Sequence, residues 1–137
     1  MADSIRKADY FSMTVANKPG EGLKVLSMLA EKEVNLLAFT GFPRNRRAQL
    51  DFVPEDTKKF TVVAKKAGWE MSPKKVAFLV QGEDRAGALA DALGKLAEAG
   101  INVTAMQATV GGAGRYGALF WVKPEDVAKS AKLLGAK

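Results

Sequence analysis

The sequence predicts an α+β protein built from two consecutive copies of one small β-α-β-β-α-β unit. Three observations lead to this prediction. An internal repeat relates the two halves of the 137-residue chain, and apolar residues change between strand-like and helix-like spacing within each half. Glycine and proline residues fall between those segments, where turns form and helices begin or end. An internal repeat at a fixed spacing indicates that one architecture is used twice.

The repeat is clearest at the end of the first predicted helix of each copy. Residues 30–36, Ala-Glu-Lys-Glu-Val-Asn-Leu, align with residues 97–103, Ala-Glu-Ala-Gly-Ile-Asn-Val, at a spacing of 67 residues. Further along, Pro54 aligns with Pro124 at a spacing of 70 residues. The second copy therefore carries about three extra residues between these landmarks, and we place them in the glycine-rich stretch 111–114.

Each copy opens with a strand and continues with a helix. Residues 10–16 and 76–80 are apolar, aromatic and β-branched runs of strand length. Gly100 is predicted to end the helix of the second copy in a left-handed conformation. Apolar residues recur at helical spacing in both copies, and they are Leu23, Leu26, Leu29 and Ala30 in the first and Leu89, Ala92, Leu93, Leu96 and Ala97 in the second.

A hairpin and a second helix follow in each copy. Pro54 and Pro124 are predicted in the first turn of these helices, where proline is tolerated, and Gly68 and Gly135 are predicted to end them. Residues 69–71 then have the pattern of a short fourth strand. The second copy has no such segment, so its sheet edge needs another segment or another chain. The predicted hairpin strands are 35–42 with 48–53, and 102–110 with 116–122.

This order of elements is the ferredoxin-like arrangement, an antiparallel sheet with its helices on one face. We therefore predict two domains, residues 1–72 and 73–137, and a fourth strand that is short or missing in the second. The junction at Ser72 and Pro73 is too short for independent domain motion. Roughly 65 residues per copy is a small core, so we expect the copies to pair and the chain to form a homodimer.

Composition argues against an enzyme. The chain contains neither cysteine nor histidine, which excludes disulfides, thiol nucleophiles, the usual zinc sites and the side chain most used for proton transfer near neutral pH. We expect no catalytic residues, no metal and no cofactor. No run approaches the ~18 apolar residues of a membrane span, and the first residues do not resemble a signal peptide, so we expect a cytoplasmic protein without a membrane partner.

Two motifs in the second copy resemble the ACT domain family. Residues 83–89 are Glu-Asp-Arg-Ala-Gly-Ala-Leu, and an apolar helix then leads to Gly-Ile-Asn-Val at 100–103. The family pattern is Asp-Arg-Pro-Gly-Ala/Val-Leu, a helix, and Gly-Ile-Asn-Ile. The first copy matches more loosely, with Asn-Lys-Pro-Gly at 17–20 and Val-Asn-Leu at 34–36. Ala86 replaces the family's proline and Asn17 its aspartate, which leaves open which copy binds a ligand.

The resemblance implies a non-catalytic regulatory protein that senses a small molecule, typically an amino acid, at an interface between paired modules, with a metabolic enzyme as a further partner. Backbone N–H groups near Gly20 or Gly87 could donate to the carboxylate of an amino acid, and Asp84 could accept from its ammonium. Alternatively, Asp84 or Asn17 only caps a helix. Carried over by position, the implied ligand-binding residues are Asn17, Lys18, Pro19, Gly20, Asn35, Asp84, Arg85, Ala86, Gly87 and Asn102.

Two other functions remain open at this stage. The first is RNA binding, because residues 116–121 partly fit the octamer of the RNA recognition motif, although Ala118 stands where a stacking aromatic is needed. Nucleic acid is thus the less favoured partner, with Arg44, Arg46 and Arg47 as its possible phosphate contacts. The second is a regulatory subunit that binds only protein, with Phe39, Phe42 and Trp121 as interface anchors.

Overall fold

The computed structural model describes residues 3–137, which divide into two compact units. The first unit comprises residues 9–75, and the second comprises residues 76–137 together with the described residues up to Ala8. The sequence instead predicted a division into 1–72 and 73–137. The difference arises because one long strand, β1 (Ser4–Ala16), gives its first residues to the second unit and the rest to the first.

The first unit contains a three-stranded antiparallel sheet in the order β2-β3-β1. A two-residue turn joins β2 to β3, and both turn residues, Asn45 and Arg46, have positive φ, the conformation of a tight hairpin turn that follows the twist of the strands. Along the chain, the second part of β1 is followed by α1 (Glu21–Glu31), β2 (Leu36–Arg44), β3 (Arg47–Pro54) and α2 (Thr57–Lys66).

The core of the first unit lies between the sheet and its two helices. Phe52 and Phe60 are fully buried with ring centroids 5.3 Å apart, and Phe11 stacks on Phe60 at 5.2 Å. Val25 and Leu29 of α1 belong to the same cluster as Phe60 of α2. Both helices therefore cover one face of the sheet, as predicted.

The predicted buried face of α1 is partly wrong. Leu29 is buried, but Leu23 is 68% exposed, Leu26 is 38% exposed and Ala30 is exposed as well. The second core residue of this helix is Val25, one turn before Leu29. Successive helical residues are about 100° apart, so Leu26 lies on the flank beside the buried stripe.

The predicted fourth strand at residues 69–71 is not formed. The segment nevertheless lies beside β1, because the Ser72 N–H donates to the Ser12 carbonyl oxygen at 2.8 Å. The Ser12 N–H in turn donates to the Ser72 hydroxyl at 2.9 Å. A side-chain hydroxyl thus takes the place of a backbone acceptor, and Pro73 has no N–H with which to continue a ladder.

The second unit contains a four-stranded sheet in the order β1-β4-β6-β5, in which β6 is antiparallel to both β4 and β5. The first residues of β1 lie at the edge where the sequence predicted a missing strand, so another segment of the chain supplies it. The elements that follow are β4 (Lys75–Glu83), α3 (Ala88–Glu98), β5 (Val103–Gly112), β6 (Arg115–Val122) and α4 (Val127–Leu134).

The core of the second unit repeats the plan of the first. Phe78 and Phe120 are fully buried and stack with ring centroids 5.1 Å apart, and Leu96 of α3 and Leu134 of α4 pack in the same cluster. Gly100 has φ +73° just after α3. This left-handed conformation confirms the predicted helix end, since only glycine adopts it without strain.

The extra residues of the second copy are divided between two places. The spacing is 67 from Leu36 to Val103, where β2 and β5 begin, and 68 at the starts of β3 and β6. One extra residue therefore lies in the hairpin, where the register shifts between Val110 and Gly112. The spacing reaches 70 at the starts of α2 and α4, through the 3₁₀ turn Pro124–Asp126. Placing all three in 111–114 was wrong.

Only one of the two predicted helix-starting prolines is in a helical turn. Pro124 begins the 3₁₀ turn before α4, whereas Pro54 is the last residue of β3. The helix after it begins at Thr57, and the Asp56 carboxylate accepts a hydrogen bond from the Lys59 N–H at 3.0 Å. A side-chain cap at Asp56 therefore starts α2 where the sequence predicted a proline.

Candidate functional site

A groove of about 440 Å³ in the second unit lies where the loop between β4 and α3 faces the last part of β5. Three of the predicted ligand-binding residues, Asp84, Arg85 and Gly87, line it, and Ala86 is exposed in the same loop. The complete lining is Asp84, Arg85, Gly87, Ala88, Leu89, Ala90, Ala108, Thr109, Val110 and Tyr116.

The loop that carries these residues is held by backbone hydrogen bonds. The Asp84 N–H donates to the Gly114 carbonyl oxygen in the β5–β6 turn at 2.9 Å, and the Ala88 N–H donates to the Arg85 carbonyl oxygen at 3.2 Å. Gly87 has φ +78°, a left-handed conformation that costs a residue with a side chain about 1–2 kcal/mol. Glycine thus lets the chain turn sharply into α3.

The capping alternative for Asp84 and Asn17 is wrong. The N-cap residues of α3 and α1 are Gly87 and Gly20, and neither helix receives a side-chain cap hydrogen bond. The Asp84 side chain forms no hydrogen bond or ion pair within residues 3–137. Its exposed carboxylate is therefore available to a ligand in the groove.

Arg85 brings a positive charge to the same groove. One of its guanidinium nitrogens, Nη2, lies 2.8 Å from Oδ2 of Asp91 in the first turns of α3. This hydrogen bond raises the pKa of Arg85 above its ordinary value. A guanidinium has five N–H donors, so the contact with Asp91 orients the group and leaves further donors for a carboxylate.

Tyr116 is a groove residue whose role the sequence did not reveal. Its hydroxyl donates to Oδ2 of Asp3 at 2.9 Å. Burial of the phenol, followed by this hydrogen bond, raises the pKa of Tyr116 to about 12. A Cβ at Gly82 would collide with the Asp3 carboxylate and lie 2.9 Å from Cε1 of Tyr116, so only glycine allows this approach. Tyr116 and Asp3 are 113 residues apart in the sequence, so no local sequence pattern predicts their contact.

The corresponding loop of the first unit is engaged differently. Gly20 has φ +90°, matching Gly87, and residues 17–20 are exposed. However, the Lys18 ammonium lies 3.7 Å from the Glu21 carboxylate, which also meets Lys24 at 3.4 Å. The Lys18 ammonium of this loop therefore already pairs with a carboxylate of α1. At the position of Asp84, the first unit has Asn17, whose side chain is an uncharged amide.

Neither predicted asparagine lies near the loop of its own unit. Ala16, before the first loop, pairs with Arg47 at one end of the sheet, whereas Leu36, after Asn35, pairs with Pro54 at the other end. Asn35 there donates from Nδ2 to Oε2 of Glu55 at 3.3 Å. Asn102 is separated from the Asp84 loop in the same way, since it precedes the residue paired with Val122. A strand of nine residues spans roughly 27 Å, too far for one small ligand.

The aromatic residues of β6 do not form a surface for RNA. Tyr116 and Phe120 belong to the hydrophobic core, and Trp121 is only 9% exposed. Base stacking requires exposed ring faces. Of the proposed protein anchors in the first unit, Phe39 packs on Phe52 with centroids 5.4 Å apart, whereas Phe42 is 42% exposed.

The described part of the chain holds no group of three or more acidic, cysteine or histidine side chains placed to bind a metal ion. In residues 3–137, no helix has the length and apolar character needed to cross a membrane.

Residues 76–136 match the model of the ACT domain, and this match lies within the second unit. No curated protein sequence matches the chain. Protein BT0572 from Bacteroides thetaiotaomicron has a similar structure, with a TM-score of 0.81 and 21% sequence identity over 96% of this chain and 88% of that one. The ligand-free regulatory subunit of aspartate kinase from Thermus thermophilus is also similar, with a TM-score of 0.63 and 16% identity over 98% of this chain and 93% of that one. These likenesses show a shared fold over nearly the whole chain.

Proposed function

We propose that this protein is a non-catalytic regulatory sensor that consists of two ACT-like, ferredoxin-like units in tandem and binds an amino acid in the groove of the second unit. The observation that carries the proposal is the Asp84 carboxylate, which has no hydrogen-bond or ion-pair partner among residues 3–137 and lines the same groove as the Arg85 guanidinium and the start of α3. A carboxylate and a cationic donor in one groove match the two charged ends of an amino acid.

Each part of the ligand has a counterpart in the groove. The ammonium group would donate to Asp84, and the carboxylate would accept from Arg85 and from backbone N–H groups at the start of α3, where the helix dipole favours negative charge. The side chain of the ligand would lie against the apolar residues Leu89, Ala108 and Val110. These are small or aliphatic, so we expect an aliphatic or small amino acid to bind best.

The regulatory role rests on the ACT domain and on the shared fold. The similar structure from Thermus thermophilus is a regulatory subunit of aspartate kinase, and we propose that this chain likewise acts on a metabolic enzyme. We further propose a homodimer. β5 is an edge strand of its sheet, and its residues from Gln107 to Gly112 are exposed, so pairing with a second copy would complete the groove side of the unit.

The first test is a thermal-shift screen of the purified protein against the common amino acids. A ligand at 100 times its Kd stabilises the folded state by about 2.7 kcal/mol, which raises the Tm of a domain of this size by roughly 10 °C. Light scattering with and without a ligand that shifts the Tm then shows whether binding changes the assembly. If no amino acid shifts the Tm at millimolar concentration, the ligand-binding proposal fails and the protein-binding regulatory subunit becomes the better explanation.

The second test is the variant Asp84→Asn, which keeps the shape of the side chain and removes its charge. Loss of a hydrogen bond to a charged group costs about 1.5–3 kcal/mol, so affinity measured by calorimetry should fall roughly 10- to 150-fold. Asn17→Ala changes the equivalent position of the first unit and should bind as the wild type does. Equal affinity of Asp84→Asn and wild type would remove Asp84 from the site.

A further inference from the structure

A second groove, of about 280 Å³, lies in the first unit between its two helices. We call it the α1–α2 groove, and its lining residues are Met28, Lys32, Val62, Val63, Lys66 and Ala67. We propose that the α1–α2 groove is a docking site for an acidic amphipathic helix of a partner protein. The proposal does not depend on ligand binding in the second unit, because none of these residues lines the other groove.

The floor of the α1–α2 groove is apolar where a solvated helix surface is usually polar. Val62 is 47% exposed and Met28 is half-buried. The second unit provides an internal comparison. At the repeat spacings of 67 for the first helices and 70 for the second, Met28 corresponds to Lys95 and Val62 to Lys132, and both lysines are exposed. The apolar side chains at Met28 and Val62 are therefore specific to the first unit and are not required by the fold, whereas Val63 corresponds to Leu133, which is likewise apolar and is exposed.

The size of the α1–α2 groove suits side chains of another molecule. Its volume is about 280 Å³, and residues of both helices form its walls. Solvent-exposed apolar surface of this kind, bordered by polar residues, is typical of protein interaction sites.

The border of the groove is positively charged. Neither Lys32 nor Lys66 forms an ion pair within the described residues, and α2 carries four lysines and no acidic residue. Both Lys32 and Lys66 lie on the groove itself. An occupant that places acidic side chains beside its apolar ones would neutralise these lysines.

The walls of the groove determine the conformation of the occupant. The groove lies along the last turns of α1 and α2, where backbone N–H groups still donate within their own helices, as from Lys32 to the Met28 carbonyl oxygen and from Ala67 to that of Val63. These N–H groups therefore cannot form a ladder with an extended peptide. An occupant must satisfy its own backbone hydrogen bonds, which a helix does. Apolar side chains at helical spacing would enter the groove, in the manner of an amphipathic helix bound between two others.

The proposal is tested with fluorescein-labelled helical peptides of about 18 residues, a length that forms a measurable helix. One peptide has leucines at helical spacing flanked by glutamates, and a second has lysines in place of the glutamates. Fluorescence anisotropy should show binding of the acidic peptide and at least ~10-fold weaker binding of the basic one, since matched and opposed charges discriminate strongly between partners.

Two pairs of variants locate the binding. Val62→Lys introduces the residue that the second unit has at this position, so it should keep the fold and weaken binding of the acidic peptide about 10-fold or more, as loss of an apolar anchor does. Leu133→Lys changes an exposed leucine of α4 and should leave binding unchanged. The double variant Lys32→Glu with Lys66→Glu should reverse the preference to the basic peptide. Circular dichroism and the Tm establish that each variant is folded.

Three outcomes would overturn the proposal. Equal binding of both peptides, or binding unaffected by Val62→Lys and by the charge reversal, would show that the α1–α2 groove is not the site. Binding to anionic phospholipid vesicles that is lost in Val62→Lys, without peptide binding, would assign the groove to a membrane surface. Self-association that Val62→Lys abolishes in analytical ultracentrifugation would assign it to a second copy of the chain.

Discussion

Replacing Tyr116 with phenylalanine should weaken the attachment of the N-terminal strand residues to the second unit. The ring itself is only 7% exposed, and phenylalanine keeps its packing while removing the hydroxyl that donates to Asp3. A hydrogen bond to a charged group is worth about 1.5–3 kcal/mol. Because Asp3 is half-exposed and water replaces part of the lost interaction, we expect a loss of about 1 kcal/mol.

A loss of this size lowers the Tm by roughly 4 °C for a chain of 137 residues, which differential scanning calorimetry resolves. Hydrogen exchange should accelerate most at Ser4 to Ala8, which depend on the Asp3 contact. A double-mutant cycle with Asp3→Ala provides the control, since Tyr116→Phe should cost nothing further once its partner is absent. An unchanged Tm and unchanged exchange at Ser4 to Ala8 would refute this reasoning.

The same contact predicts a dependence of stability on pH. The pKa of Tyr116 is raised from 10.0 to about 12, first by burial and then by the hydrogen bond to Asp3. A raised pKa means that the folded state holds its proton more tightly than the unfolded state, so this stability is fully present below about pH 10 and is lost as the pH rises through 12. Burial also raises the pKa of Tyr10, so the titration is best followed by phenolate absorbance in a Tyr10→Phe background. There, Asp3→Ala should lower the midpoint of Tyr116 without bringing it to 10, because burial is the larger cause, whereas a wild-type midpoint near 10 would contradict the geometry.

Three further predictions concern stability. Phe120→Ala removes a fully buried ring and should destabilise the protein by about 3–5 kcal/mol in urea unfolding; a loss below ~1 kcal/mol would contradict its place in the core. Asp56→Ala removes the capping hydrogen bond of α2 and should destabilise the protein by about 1 kcal/mol. Asp126 makes no such bond at the start of α4, so Asp126→Ala should destabilise it much less. Equal losses of stability in the two variants would argue against the cap. Gly87→Ala should destabilise the protein by about 1 kcal/mol because Gly87 has a left-handed φ. Gly94→Ala, in open space within α3, should instead stabilise it by about 0.5–1 kcal/mol. A change in unfolding free energy of the same sign in both variants would refute the strain argument.

The spacing of apolar residues and the positions of glycine and proline predicted the order of helices and strands, because both act through local backbone conformation. The stops at Gly100 and Gly135 follow from the conformational freedom of glycine, and their positive φ values agree with that reasoning. The prediction of a strand at 69–71 was wrong because the Ser72 hydroxyl accepts the hydrogen bond of the Ser12 N–H in place of a backbone carbonyl. This contact depends on where Ser12 lies in the folded protein. In α1, a wide apolar sector left two possible buried faces, and only packing against the sheet selects Val25 over Leu26.

The candidate site was predictable only where it is local. Asp84, Arg85 and Gly87 are consecutive or nearly so, and they stay together in the groove. Tyr116 depends on the pairing of β6 with β4, and Asp3 on an edge strand contributed from the other end of the chain. The apolar floor of the α1–α2 groove likewise could not be predicted from the sequence, because Met28 and Val62 line one groove only when the two helices lie side by side.

The division of β1 between the two units has a consequence for biosynthesis. Ser4 to Ala8 are translated before their neighbour β4, which begins only at Lys75. At about 10 residues per second, roughly seven seconds pass between the synthesis of these residues and the start of β4. The rest of the sheet is synthesised later still. Contacts so distant along the chain slow folding, and an unpaired strand is prone to aggregation meanwhile. Residues Ser4 to Ala8 of the nascent chain therefore remain prone to aggregation until β4 and the β5–β6 hairpin of the second unit have been translated.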